Sequence, residues 1–213
     1  MDNFAVIILA AGKSSRLGHP KQLVEINGES LLARQCRVAL SITKHVYCVL
    51  GYEADLLKPL LISLPVKVVA NPLWQQGMSS SISVAIKCLP EAIEHVMIVL
   101  VDQWQINKSL LIPLIDTSLD NKCNIVTSSC SRNNNMQANH KTQFYRPSEK
   151  RIGPPTIFPK KYFSELSLLS GEKGAKALMM KQIDQVIKVN LPEAFIDLDT
   201  TNDLSKLRDV YPE

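Results

Sequence analysis

Short apolar runs of strand length alternate along this chain with longer stretches in which apolar residues recur at helical spacing. Ala5–Ala10, His45–Leu50, Val66–Ala70, His95–Val101, Asn124–Ser128 and Val186–Asn190 are rich in aliphatic and β-branched residues. Near-continuous apolar runs of this kind predict strands covered on both faces, because a strand with one wet face would alternate. Helices are predicted over Ser30–Leu40, Glu53–Ile62, Ser80–Leu89 and Lys108–Leu119, with Ser30 and Asn107 as N-caps. Strand and helix in alternation imply right-handed crossovers and a mainly parallel sheet. The expected class is α/β: one Rossmann-like three-layer α/β/α domain spanning residues 1–213.

The pattern breaks after about Cys130. Ser131 to Lys141 is polar, Asn-rich and aperiodic, which predicts an exposed loop. Gln143–Arg146 and Thr156–Phe158 are expected to pair as an antiparallel excursion from the main sheet. Gly171–Lys181 recovers a helical pattern, and Thr200–Arg208 forms a last helix behind Asp197-Leu198-Asp199. The pair Met179-Met180 is expected in the core.

Composition narrows the function classes. Hydrophobic residues at 46% and charged residues at 21% exclude a disordered, collagen-like or coiled-coil chain. Twenty-four Lys and Arg against twenty Asp and Glu leave a net +4, too little to argue for nucleic acid without a clustered basic stripe. No apolar run approaches the roughly 20 residues that span a bilayer, so no membrane partner is expected. The start of the chain lacks a basic segment with a cleavage site, and a cytoplasmic protein is expected. Its five cysteines form no Cys-x-x-Cys pair and read as reduced thiols. The histidines show no metal-ligand spacing.

The chemistry concentrates where the first strand ends, at Leu9-Ala10-Ala11-Gly12-Lys13-Ser14-Ser15-Arg16-Leu17-Gly18-His19-Pro20-Lys21. Small residues let backbone amides face a ligand, and Lys13, Arg16 and Lys21 supply cations, so the segment reads as a polyphosphate cradle. It is neither a Walker loop nor a dinucleotide fingerprint. An ordinary Gly/Ser turn with solvated lysines is the alternative that these residues alone leave open.

Leu-Ala-Ala-Gly-x-Ser-x-Arg-x-Gly-x-x-Lys resembles the signature loop of the MobA-like nucleotidyltransferases that act on the molybdenum cofactor, within the nucleotide-diphospho-sugar transferase fold. The resemblance continues along nearly the whole chain. Asn71-Pro72-Leu73-Trp74-Gln75-Gln76-Gly77-Met78-Ser79-Ser80-Ser81-Ile82 is similar to the family's second nucleotide-binding segment. Asp102-Gln103 stands where the family has Asp-x-Pro, Gly153-Pro154-Pro155-Thr156 resembles its later Gly-x-Pro turn, and Asp197-Leu198-Asp199-Thr200 resembles its closing Asp-Ile-Asp-Thr.

The resemblance implies a nucleotide site built from Leu9, Ala10, Ala11, Gly12, Arg16, Lys21, Asn71, Gly77 and Ser81, with Arg16 and Lys21 at the triphosphate. Guanylyltransferases of the family carry Leu-Ala-Gly-Gly and cytidylyltransferases Ala-Ala-Gly, so Ala10-Ala11-Gly12 implies CTP. The implied acceptor is a phosphorylated pterin, molybdopterin, and the implied recipient a molybdenum hydroxylase-type enzyme. GTP, a sugar or polyol phosphate acceptor, or a non-catalytic molybdenum cofactor carrier are the competing readings.

Nucleotidyl transfer needs little general-base work, since a phosphate oxygen is already a nucleophile. The protein chiefly positions reactants and neutralises charge. Magnesium suits this, being held by one or two carboxylates together with substrate phosphates. Asp102 and Asp199 each follow a strand-like run and are the expected metal pair, with Arg16, Lys21 and Asp102 as catalytic residues. Asp197 would point away from Asp199 if that segment is extended. Trp104 in place of the family's Pro and Glu172 in place of its Asp leave the acceptor in doubt, and Trp104 is expected to add bulk beside the metal.

Overall fold

A computed structural model describes residues 1–130 and 151–211 of the chain. The predicted loop 131–141, the run Gln143–Arg146 and His140 lie outside the described residues. Six of the strands have the positions read from the sequence, within a residue or two: β1 (Phe4–Leu9), β4 (His45–Leu50), β5 (Lys67–Ala70), β6 (His95–Leu100), β7 (Ile125–Cys130) and β9 (Val186–Asn190). The hairpin strands β2 (Glu25–Ile26) and β3 (Glu29–Ser30), and the long β8 (Arg151–Pro159), complete the set among the described residues.

Every residue of β1 is buried. Phe4, Val6 and Ile8 enter one apolar cluster and Ala5, Ile7 and Leu9 the other, because successive strand side chains face opposite ways. Helices α1 (Leu31–Leu40), α4 (Lys108–Asp120) and α7 (Thr201–Val210) cover the first face; α3 (Met78–Lys87), α5 (Phe163–Ser167) and α6 (Lys176–Lys181) cover the second. The α/β/α class is therefore as expected. The strand order is β5-β4-β1-β6-β8-β7-β9, with β4, β1, β6 and β5 mutually parallel and β8 antiparallel to both neighbours.

Several expectations need correction. Thr156–Phe158 is no excursion: within β8 it pairs with β6 on one side and β7 on the other, inside the sheet. The β7–β8 register shifts at Thr127/Ser128, opposite Pro154 and Pro155, which have no N–H to give to a ladder. There the Thr127 hydroxyl donates to the Gly153 carbonyl at 2.9 Å and the Ser128 hydroxyl to that of Pro155 at 3.0 Å. Edge strand β5 is mostly exposed rather than covered on both faces. The predicted helix Glu53–Ile62 splits into α2 (Ala54–Leu57) and a 3-10 turn (Lys58–Leu61), because Pro59 withholds a donor. Of Gly171–Lys181 only α6 is helical; Gly171 and Gly174 take φ +82° and +57°. Met179 is buried but Met180 is exposed. The caps hold: Ser30 Oγ accepts from the Ala33 amide and Asn107 Oδ1 from that of Leu110. The Asn27-Gly28 turn joining β2 to β3, both residues at positive φ, is a hairpin signal that the apolar pattern did not use.

Candidate active site

Parallel strands deliver their carboxyl ends to one edge of the sheet, and the candidate residues collect there. The chain leaves β1 with its carbonyls already engaged. Gln22 Nε2 donates to the carbonyls of Ala10 (2.7 Å) and Gly12 (3.1 Å), and the Tyr52 amide donates to that of Ala11 (3.0 Å). The negative ends of these peptides are thereby satisfied by the protein itself. The loop then turns at Ser14, whose φ of +56° is unusual for a side-chain-bearing residue. Its carbonyl accepts from the Leu17 and Gly18 amides, and its hydroxyl from the Lys21 amide at 3.2 Å. Buried Leu17 anchors the loop to the core.

This turn aims Lys21 inward. Its ammonium donates to Asp102 Oδ2 at 2.6 Å and to Asp199 Oδ1 at 2.8 Å, joining three segments far apart in sequence. The Lys21 and Asp102 side chains are only 12% and 13% exposed. Asp199 is 43% exposed and also meets Arg16, itself 79% exposed, at 3.7 Å. Lys21, expected at a triphosphate, is thus held by the two acids expected to bind metal.

Burial governs the ionisation here. It opposes the charge on Lys21, but the two carboxylates outweigh it and raise the ammonium's pKa. At Asp102 burial is the larger effect and raises the carboxyl despite Lys21. Burial and then the charges of Asp102 and Asp199 push Asp197 up to about 7. Asp197 therefore lies within electrostatic reach of both acids. The approach is not the strand-like one expected: Asp199 follows a 3-10 turn (Pro192–Phe195) and irregular backbone.

The position of Asp102 is set by its neighbours. Its carbonyl accepts from the Leu198 amide at 3.1 Å, tying the two acidic segments together. Gln103, 1% exposed, donates through Nε2 to the carbonyls of Pro154 (2.7 Å) and Ala194 (2.6 Å) and accepts at Oε1 from the Leu100 amide (3.1 Å). Gln35 Nε2 donates in turn to the Gln103 carbonyl at 2.8 Å. The side-chain roles of Gln22, Gln35 and Gln103 were not legible in the sequence; a glutamine within or beside an active-site motif is the one signal available. Trp104 is buried in the core, edge-on to Tyr211.

The second segment lies alongside the first. Ala11, Gly51 and Trp74 pack so closely that a Cβ on Gly51 would come within 2.5 Å of Trp74 Cβ and 2.9 Å of Ala11 Cβ. The Ala11 methyl thus has Gly51 as a close neighbour. Asn71 Nδ2 donates to the hydroxyls of Ser80 and Ser81, both at 2.9 Å, and its Oδ1 accepts from the Leu73 amide. Gly77, at φ +95°, makes room for the chain itself: a Cβ there would meet Glu172 Cα at 2.6 Å.

A cation-binding role fits the acidic pair. Asp102 and Asp199 both face a single nitrogen, and Asp102 Oδ1 and Asp197 Oδ1 are buried with no hydrogen-bond partner. Among the described residues no group of three His, Cys, Asp or Glu side chains forms a ready-made metal site. That matches a cation completed by substrate phosphates and water.

The model of the MobA-like NTP transferase domain matches residues 6–186. The chain belongs to this family. It is 41% identical over 70 residues to a Synechococcus elongatus protein named as a probable molybdenum cofactor guanylyltransferase, covering 33% of this chain and 35% of that protein. The chain therefore aligns with only part of the curated relative's length. Rv0371c from Mycobacterium tuberculosis has the same fold at TM-score 0.76 and 23% identity, with 98% of each chain covered. Its structure in complex with manganese gives TM-score 0.74 at 21% identity, covering 97% of this chain and 98% of that one. No described helix is long and apolar enough to cross a membrane.

Proposed function

We propose that this member of the MobA-like NTP transferase family transfers CMP from CTP to molybdopterin, with residues 1–213 acting as one cytoplasmic domain. The observation that carries the reading is the meeting of Lys21, Asp102 and Asp199 beside the Ala10–Gly12 loop. An acceptor phosphate oxygen attacks the α-phosphorus, the bond from that phosphorus to the bridging oxygen breaks, and pyrophosphate leaves. Arg16 and Lys21 supply positive charge to the triphosphate, Arg16 as a bidentate fork. The loop peptides, their carbonyls already engaged by Gln22 and Tyr52, orient the nucleotide. Asp102 and Asp199 would hold magnesium, which when bound neutralises charge on the transferring phosphate. Gln103 and Leu198 keep these two acids in register.

The base preference rests on Ala10-Ala11-Gly12 and its likeness to the cytidylyl branch. GTP is the second reading, favoured by the guanylyltransferase name of the Synechococcus elongatus relative. Pyrophosphate release with each of the four nucleoside triphosphates, Mg2+ and a molybdopterin acceptor tests both. Release with CTP above all others is expected. Preference for GTP would transfer the assignment to the guanylyl branch, whereas pterin binding without release from any triphosphate would support a carrier delivering cofactor to a molybdenum hydroxylase-type enzyme.

A further inference from the structure

Lys21 stands where a divalent cation would complete the acidic pair. Its ammonium contacts the facing oxygens, Asp102 Oδ2 and Asp199 Oδ1, at 2.6 and 2.8 Å. Arg16 adds only a 3.7 Å contact from a mostly exposed side chain. Asp102 Oδ1 meanwhile remains buried and unpartnered. One monovalent ammonium is therefore balancing two carboxylates, with acceptor capacity left over. A metal held by these two acids would lie close to the ammonium, and two cations at that separation repel. Lysine and metal would therefore compete for the pair.

We propose that Lys21 is an exchangeable counter-ion: it holds Asp102 and Asp199 together in the free protein, competes with free divalent metal, and yields when a triphosphate arrives to take its charge. The nature of that anion rests on the nucleotidyltransferase reading; the competition does not. Without a cation between them, two carboxylates this close would repel, so Lys21 preserves the geometry that the metal later uses. The exchange needs little backbone movement. The Lys21 amide is anchored on Ser14 Oγ and begins a 3-10 turn after Pro20, so the change falls on the rotatable bonds of the four-carbon stem. Asp102 and Asp199 would then be free to hold a metal as Lys21 moves its charge to the phosphates.

Calorimetry with Mn2+ on the full chain tests this without any turnover. Wild-type protein should bind Mn2+ weakly alone and at least about tenfold more tightly with a non-hydrolysable CTP or GTP analogue. Lys21→Met should bind Mn2+ without nucleotide at least about tenfold more tightly than wild type, because a competing positive charge has gone. Adding Asp102→Asn and Asp199→Asn to Lys21→Met should abolish the gain. Equal Mn2+ affinity of wild type and folded Lys21→Met would overturn the proposal. Should Lys21→Met fail to fold, the Lys21 Nζ resonance of 15N-lysine-labelled wild-type protein provides the test. It should shift when Mg2+ and the analogue are added together, and a resonance unmoved by that pair would overturn the exchange. A chain that shows the Mn2+ gain but transfers no nucleotide would retain the exchange and lose the functional reading. An active transferase with equal affinities would do the reverse.

Discussion

Asn71, Ser80 and Ser81 close on one another, as do Lys21, Asp102 and Asp199, yet the two clusters differ in what they leave over. In the first, Asn71 donates to both hydroxyls and accepts from Leu73, and Ser80 Oγ also lies within reach of the carbonyls of Leu73 and Gly77. Its hydrogen-bonding capacity is used within a dozen residues of chain. In the second, charges from three remote segments meet and two buried carboxylate oxygens, on Asp102 and neighbouring Asp197, still lack donors. A satisfied local cluster acts as a brace, while a charged, under-satisfied one is suited to receive a ligand. The Asn71–Ser81 segment is thus shaped by its own bonds, and the unsatisfied groups lie at the acids.

The largest expected effect breaks the second cluster. Asp102→Asn or Asp199→Asn should each lower pyrophosphate release by about 10²–10³-fold with unchanged circular dichroism. The double variant should be about as impaired as the worse single and far short of the product of the two, because both disable one site. Wild-type release from either variant would remove the acids from the mechanism.

Next comes the frame behind the acids. Gln103→Leu leaves the Pro154 and Ala194 carbonyls and the Leu100 amide without their partner, and should cost about 3 kcal/mol in urea unfolding. A loss under 1 kcal/mol, read by the same measure, would mean that water replaces the amide.

In the first cluster, Gly77→Ala should cost about 2 kcal/mol, since its backbone lies in a region nearly reserved for glycine and the new Cβ would strike Glu172. Asn71→Ala should cost about 1.5 kcal/mol while kcat falls less than about tenfold, as a brace would. A far larger loss of kcat at normal stability would make Asn71 a direct participant.

The smallest effect lies at the start of α7, just past Asp199. Burial works against the Asp203 carboxylate, but hydrogen bonds from Thr200 outweigh it and hold its carboxyl below the usual range. Thr200 and Asp203 form a capping box. Asp203→Asn should lower stability by about 1 kcal/mol. A carboxyl lowered on folding stabilises above its unfolded pKa and loses that contribution as pH falls through the folded value. The difference between wild type and Asp203→Asn should therefore be full at neutral pH and vanish on acidification below the ordinary aspartate range. A pH-independent difference would point to shape instead of charge.

Much of this was legible in the residues. Six strands, the Ser30 and Asn107 caps and the grouping of loop, second segment and acids at one edge all follow from local pattern and motif order. The misses have local causes too. Pro59 shortens a helix whose apolar spacing looks continuous, and Pro154 and Pro155 disguise a central strand because prolines read as strand breakers. The three structural glutamines were invisible because an amide's partners are backbone groups, which no side-chain pattern displays.

By itself, then, the order of apolar and polar residues determined an α/β sheet with its loops at one end, since strand and helix periodicity are properties of neighbouring residues. Only the tertiary structure decided that Lys21 sits between Asp102 and Asp199, that Ala11 packs beside Gly51, and that Asp197 shares the acids' field. These are meetings of residues far apart in the chain. Their energies depend on burial and on charges a few ångströms away in space, quantities that arise only when the sheet brings those residues together.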